Sequence, residues 1–230
     1  MPISYYYIRE ACKTQKPEAI MLKLRGLFLA QYTKYTIANY VYMPAGQNKL
    51  EEIMKTTREE DIMGLLFPLL DYHDRWNDLT LNALRKRLQP VFTAENAGFM
   101  AREYSEEQTQ IIYDETNDSY FEESVRYLQE IANYCKEEDI KLYLFLAPTT
   151  QILPPEAKTL LDDAVKELNA SGYYDFANEK AFHEVGLDLK TDWSDSLHLR
   201  KDGAEKFSVY LARMLEQGGL QPSENADRLL

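Results

Sequence analysis

The chain is short of cysteine, of glycine and of long apolar runs, and each shortage excludes a class of protein. Its 230 residues include two cysteines, Cys12 and Cys135, both in helical patterns, so we expect buried thiols and no disulfide framework. The nine glycines are scattered and form no Gly-rich phosphate loop, so a nucleotide site of the familiar kinds has no support. No run approaches the ~20 apolar residues of a membrane span.

The charge is mainly of one sign. Asp and Glu total 38 against 26 Lys and Arg, which gives a formal net charge of −12. Because this field repels polyanions, we expect no nucleic acid and no anionic membrane surface as the main partner. The first residues lead straight into a helical pattern without a signal peptide. As written, the chain is therefore predicted to be soluble and not exported.

Strand and helix patterns alternate over much of the chain. Apolar runs predict strands at 19–24, 140–147 and 173–176, and helical spacing predicts helices at 4–16, 119–135, 155–168 and 202–218. The run at 140–147 is almost continuously apolar, which is typical of a central parallel strand. The pattern predicts an α/β fold in which a mainly parallel sheet is covered on both faces.

The stretch 28–110 departs from this alternation. It is rich in tyrosine and then helical, and we interpret it as a mainly helical segment inserted into a single domain that spans 1–230. His73 and Trp76 lie in this segment and are candidate substrate contacts, although such a histidine also commonly ends a helix. The polar end of the chain, 221–230, is predicted to be a frayed tail.

The densest polar cluster, 191–203, lies between a strand and the final helix, where open α/β sheets place their sites. Asp195 precedes His198 by three residues, so on one turn its carboxylate can hold the imidazole Nδ1–H. The other ring nitrogen is then available as a general base toward a hydroxyl nucleophile. Arg200 is a further candidate for substrate binding. An alternative interpretation is structural, in which the Asp and His cap the start of the helix.

A metal site is another interpretation of the same cluster. Asp192, Asp195, His198 and Asp202 carry oxygen and nitrogen ligands, and His183 is near in sequence. Their spacing matches no closed zinc pattern. We therefore predict no metal and no other cofactor.

The sequence Asp195-Ser196-Leu197-His198, followed by Gly203-Ala204 and an amphipathic helix, resembles the Asp-x-x-His block of SGNH/GDSL-type hydrolases. The resemblance is greatest to the cell-surface branch that includes the lipoteichoic acid D-alanyl transfer and alginate O-acetylation proteins. It extends to uncharacterised bacterial members through 5–11, 16–20 and 67–76. It implies a three-layer α/β/α fold and ester chemistry in which a serine attacks an acyl carbon. His198 would then be the base, Asp195 its orienting acid, and Asp192 a neighbouring acid of uncertain role.

The chain departs from this family at the nucleophile. It has no Gly-Asp-Ser turn, and Gly26 and the turn 147–150 occupy plausible places for oxyanion donors without matching the family's residues. We expect that the reading frame begins at an internal methionine or comes from a truncated gene. The missing part would hold the first strand, the nucleophile, and a membrane anchor or export signal. The full-length protein would then be extracytoplasmic or membrane-anchored.

Two functions follow as hypotheses. The first is an SGNH-type ester hydrolase or O-acyltransferase relative acting on acylated cell-surface glycans, present here as a truncated and inactive form. The alternative is a non-catalytic binding or interaction module on the same scaffold. An uncovered sheet edge would favour pairing with a second copy, so a homodimer is also predicted.

Overall fold

A computed structural model describes residues 1–28, 43–67, 80, 110–116 and 118–218. They form helices α1 (Pro2–Ala11), α2 (Gln47–Thr56), α3 (Glu59–Leu66), α4 (Phe121–Glu137), α5 (Pro155–Lys166), α6 (Glu179–Val185) and α7 (Lys201–Gln217). The strands are β1 (Ala19–Lys23), β2 (Ile112–Tyr113), β3 (Lys141–Leu146), β4 (Gln151–Ile152), β5 (Gly172–Asp175), β6 (Trp193–Asp195) and β7 (His198–Leu199). Short 3-10 helices span Arg25–Phe28 and Asp118–Tyr120.

The chain divides into two compact units. The first comprises 1–78, 115–146 and 153–174, and the second comprises 79–114, 147–152 and 175–230. The predicted single domain over 1–230 stays a prediction. The predicted tail, His73 and Trp76 lie outside the described residues.

The first unit contains a three-stranded sheet in the order β1-β3-β5. Strands β1 and β3 run parallel, with Ala19 opposite Lys141 and Lys23 opposite Phe145. The successive residues Leu142, Tyr143 and Leu144 are all buried, as expected for a strand covered on both faces. The α/β class predicted from the sequence is therefore confirmed, and each end of the three strands lies within one residue of its predicted position.

Helix α4 covers the sheet because its apolar residues repeat at helical spacing. Leu128, Ile131, Ala132 and Cys135 are buried along one face of this helix. Burial also raises the pKa of the Cys135 thiol to about 11. Both cysteines are free thiols, but of the two predicted buried thiols only Cys135 is buried, and Cys12 is half-buried.

Helix α1 begins earlier and ends earlier than the predicted helix at 4–16. Pro2 occupies its first turn, where a missing N–H is tolerated, and the helical hydrogen bonds give way to a turn at Cys12. The helix packs against α4 through Tyr6 and Tyr127, which form a buried cluster with Met43.

Residues 43–67 of the predicted inserted segment contain helices α2 and α3, and the insertion itself stays a prediction. Its first helix, α2, is tied to α1 by polar contacts. Asn48 Nδ2 donates to Glu10 Oε2 at 2.8 Å, and Arg9 lies 3.4 Å from Glu51. Both contacts are partly buried, and they orient the two helices relative to each other.

One buried carboxyl on α2 stands out. Glu52 has no exposed surface, and its two carboxyl oxygens have no hydrogen-bonding partner among the described residues. Burial raises the pKa of Glu52 from 4.5 to about 8, against the opposing charge of Lys49. The folded protein therefore holds this carboxyl in its neutral form at mildly acidic pH.

This carboxyl predicts a pH-dependent stability. Between pH 4.5 and about 8 the folded state holds a proton that the unfolded state has lost, so stability falls as pH rises. The slope approaches ~1.4 kcal/mol per pH unit. Glu52→Gln should match the parent at pH 5 and exceed it at pH 9 in urea unfolding.

The matched control is the adjacent Glu51→Gln. Glu51 accepts a hydrogen bond from Gln47 at 2.8 Å, and this bond lowers its pKa. Removing that charge should give no gain in stability at pH 9. Equal pH dependence in the parent and in Glu52→Gln would contradict the prediction.

Candidate functional site

The predicted catalytic pair lies on a β-hairpin in the second unit. Strands β6 and β7 pair antiparallel, with Trp193 opposite Leu199 and Asp195 opposite His198. The sequence suggests that Asp195 and His198 lie on one turn, and in the structure they face each other across a turn whose two middle residues are Ser196 and Leu197. The Leu197 N–H donates to Asp195 Oδ1 at 2.8 Å, which folds the connection tightly and fixes the carboxylate.

Asp195 and His198 are in direct contact. The imidazole Nδ1 lies 2.8 Å from Asp195 Oδ1 and 3.0 Å from Oδ2. The histidine side chain is 49% exposed and the aspartate 34%. Among the described residues, none is hydrogen-bonded to Nε2. With its proton on Nδ1, the imidazole therefore presents a lone pair on Nε2 to a reactant.

The hairpin connection is held by a neighbouring loop of the same unit. The N–H groups of Thr150 and Gln151 both donate to the Ser196 carbonyl, at 3.0 and 3.2 Å. The Ser196 hydroxyl donates to Gln151 Oε1 at 3.2 Å. Because these bonds fix the carbonyl between Asp195 and His198, the loop sets the position of the pair.

Asp192 has a structural part in the site. Its side chain is only 3% exposed, and Oδ2 accepts from Lys206 Nζ and from the Asp188 N–H, both at 2.7 Å. Its backbone carbonyl accepts from the Arg200 N–H at 2.8 Å. Asp192, to which the resemblance assigns no definite role, thus ties the hairpin to α7.

Gly203 allows α7 and the hairpin to pack closely against each other. It is buried in the first turn of α7, and a Cβ placed there would lie 2.8 Å from Asp192 Cβ and would collide with the Asp192 carbonyl oxygen. Only glycine allows the helix to approach the hairpin backbone to this extent. Gly203, five residues after His198, is therefore required for the packing of α7 against Asp192.

An apolar cleft lies beside His198. Its volume is about 210 Å³, and we call it the Phe207 cleft. The lining residues come from the 147–152 loop, the hairpin and α7, and they are Ala147, Pro148, Leu197, His198, Leu199, Ala204 and Phe207. Sequence analysis did not predict this cleft. The available signal was the pair of leucines that flank His198 and the spacing of three between Ala204 and Phe207 on one helix.

The other predicted candidates have different positions. Arg200 precedes α7, with its guanidinium 3.4 Å from Asp202, and it is not among the residues that line the Phe207 cleft. His183 lies exposed on α6. Within the described parts of the chain, no three His, Cys, Asp or Glu side chains are grouped to hold a metal ion.

The nearby hydroxyls are engaged elsewhere. Ser194 Oγ donates to the His198 carbonyl at 3.1 Å, and Thr149 Oγ1 donates to the Gln151 carbonyl at 2.9 Å. Ser196 is bonded to Gln151, as described above. The hairpin therefore provides an imidazole in contact with a carboxylate, and none of its serine hydroxyls is hydrogen-bonded to the imidazole.

Comparisons of the chain with models of known protein families, with curated proteins and with solved structures find no match. The relationship to SGNH hydrolases stays a prediction carried by the residues quoted for it. None of the helices in the described ranges has the length and apolar character needed to cross a membrane.

The close approach at Gly203 predicts a specific loss of stability. Gly203→Ala forces the Asp192 backbone away from α7 and should cost ~1–3 kcal/mol in the free energy of unfolding, measured by urea denaturation. Gly26→Ala is the control, because its Cβ would meet only ordinary contact at 3.5 Å. An unchanged stability of Gly203→Ala would show that the hairpin and α7 are not tightly packed.

The Asp195 contact predicts the tautomer of His198. In long-range ¹H–¹⁵N spectra recorded above the pH at which the ring is protonated, Nδ1 should carry the proton and Nε2 should be bare. Asp195→Ala should shift the ring toward the Nε2–H form, because the acceptor for Nδ1–H is gone. His183 is the internal reference, and a His198 tautomer unchanged by Asp195→Ala would contradict the assigned hydrogen bond.

Proposed function

We propose that the chain is a relative of SGNH-type ester hydrolases and O-acyltransferases and carries the histidine-aspartate half of their catalytic unit. The observation that carries this proposal is the 2.8 Å contact between His198 Nδ1 and Asp195, with Nε2 left without a described partner. The alternating α/β order and the parallel pairing of β1 with β3 agree with it. The proposed fold is the three-layer α/β/α arrangement of that superfamily.

The proposed reaction is acyl transfer through a serine. The serine oxygen attacks the ester carbon while Nε2 of His198 takes its proton, and Asp195 stabilises the resulting imidazolium. The imidazolium then returns the proton to the leaving alcohol as the ester bond breaks. Water or an acceptor hydroxyl attacks the acyl-serine in the second half, with His198 again the base. Backbone amides would hold the developing oxyanion.

The serine has to come from outside the described hairpin and loop. Ser194, Ser196 and Thr149 donate their hydroxyl protons to the His198 carbonyl, to Gln151 Oε1 and to the Gln151 carbonyl, and none is hydrogen-bonded to the His198 ring. In keeping with the resemblance, we propose that sequence encoded upstream of Met1 carries the nucleophile, and that the chain alone is inactive. An acylated cell-surface glycan is the proposed substrate, on the same resemblance, and an extracytoplasmic or membrane-anchored full-length protein is part of this proposal.

The test is hydrolysis of p-nitrophenyl acetate by the chain and by a version extended with the residues that precede Met1 in its gene. The extended version should turn over substrate, and the chain alone should remain near the uncatalysed rate. His198→Ala in the extended version should lower kcat by roughly 10³-fold or more, because the members of such a unit act together.

The control is His183→Ala, which removes an exposed histidine from α6 of the same unit and should leave the rate unchanged. If the extended version has no turnover that depends on His198, the proposed esterase chemistry is overturned. A non-catalytic binding module on the same scaffold then becomes the better description.

A further inference from the structure

We propose that the Phe207 cleft binds the acyl chain of a short-chain ester and limits its length. This inference rests on the proposed function, since it assigns the acyl side of the same site. His198 is one of the residues that line the cleft, so a chain lying in it would place its carbonyl carbon close to the proposed base. Proximity of this kind is what a bound acyl group requires for transfer.

The lining chemistry favours an uncharged apolar ligand. Apart from His198, the lining residues are alanine, proline, leucine and phenylalanine. Leu197 at the hairpin connection is 37% exposed and forms an apolar rim. The two larger depressions of the described chain, about 510 and 490 Å³, are each lined by acidic and basic side chains. Among these three, the cleft beside His198 is the one suited to a hydrocarbon chain.

The size of the cleft favours a short chain. Its volume is about 210 Å³. Because a water molecule in the liquid occupies roughly 30 Å³, this space corresponds to roughly seven water molecules. An acetyl to hexanoyl group fits within it, and a long fatty acyl chain would extend into solvent.

The cleft wall is held in position by aromatic packing. The Phe207 ring meets the Phe176 ring edge to face at 5.1 Å between centroids, and Phe176 is only 5% exposed. Tyr210, three residues further along α7, also packs edge to face against Phe176, at 6.2 Å between centroids. Since Phe207 is supported from behind, it acts as a fixed wall against a growing chain.

The first test is binding of methyl butanoate to the 230-residue chain, followed by the NMR signals of the His198 ring. Methyl butanoate should give saturable shifts with a Kd in the millimolar range. Ala204→Leu fills the cleft from α7 and should abolish these shifts. Ala212→Leu, an exposed alanine on the same helix, is the matched control and should leave them unchanged.

A second variant guards against a folding defect in Ala204→Leu. Leu197→Asp places a charge on the exposed rim without altering the interior and should weaken binding at least tenfold. Shifts that do not saturate in the parent chain, or that persist in both Ala204→Leu and Leu197→Asp, would overturn the proposal.

The two proposals fail in different ways. In the extended protein, p-nitrophenyl butyrate should be preferred to the octanoate, and Ala204→Leu should lower kcat/KM for butyrate far more than for acetate. Turnover that depends on His198 but has no such preference would overturn the acyl cleft and leave the esterase. Binding of methyl butanoate without any turnover dependent on His198 would overturn the esterase and leave the cleft.

Discussion

Asp192 is the residue on which the arrangement of the candidate site depends. Its buried carboxylate accepts from Lys206 and from the Asp188 N–H, and its carbonyl accepts from the Arg200 N–H. These bonds join the entry to the hairpin, the hairpin's last residues and α7. A buried carboxylate left without such partners would be strongly destabilising, so the three segments keep their relative positions together.

Asp192 and Asp195 therefore have different roles in the structure, although they are only three residues apart. Asp192 is almost fully buried and accepts two hydrogen bonds at Oδ2, whereas Asp195 is one-third exposed and bonds the Leu197 N–H and the imidazole. The difference follows from the hairpin, because the register places Asp195 opposite His198 and leaves Asp192 at the start of the pairing. Near solvent, the Asp195 carboxylate can accommodate a change in the charge of the neighbouring imidazole. The buried Asp192 carboxylate instead anchors backbone segments.

The sequence predicts the larger elements well and the site geometry only in part. Strands β1, β3 and β5 are signalled by apolar runs, and helices α4, α5 and α7 by periodic apolar faces. The hairpin has strands of three and two residues, which are too short for alternation to show. For that reason the sequence allowed a contact between Asp195 and His198 on one turn, but it did not indicate the pair of strands on either side of that turn.

Helix α6 is absent from the helices predicted from the sequence, because it too is short. Its seven residues, begun by the Asn178 cap and ended by Gly186 at φ 78°, are too few to produce a clear period. The bonds that hold the Ser196 carbonyl join backbone groups, and backbone groups leave no signature in residue identity.

The loop 147–152 serves two neighbours at once. Ala147 and Pro148 line the Phe207 cleft, while the next two residues, Thr149 and Thr150, are buried, and the Thr150 N–H holds the hairpin connection beside His198. A backbone shift at Pro148 would change the cleft wall and, within two residues, the hydrogen bond that holds the Ser196 carbonyl beside His198. The shape of the cleft and the position of the His198 ring are thus linked, so substitutions in this loop would have non-additive effects with changes at Ser196. The size of the cleft can be changed at Ala204 or Phe207 on α7 without altering this loop.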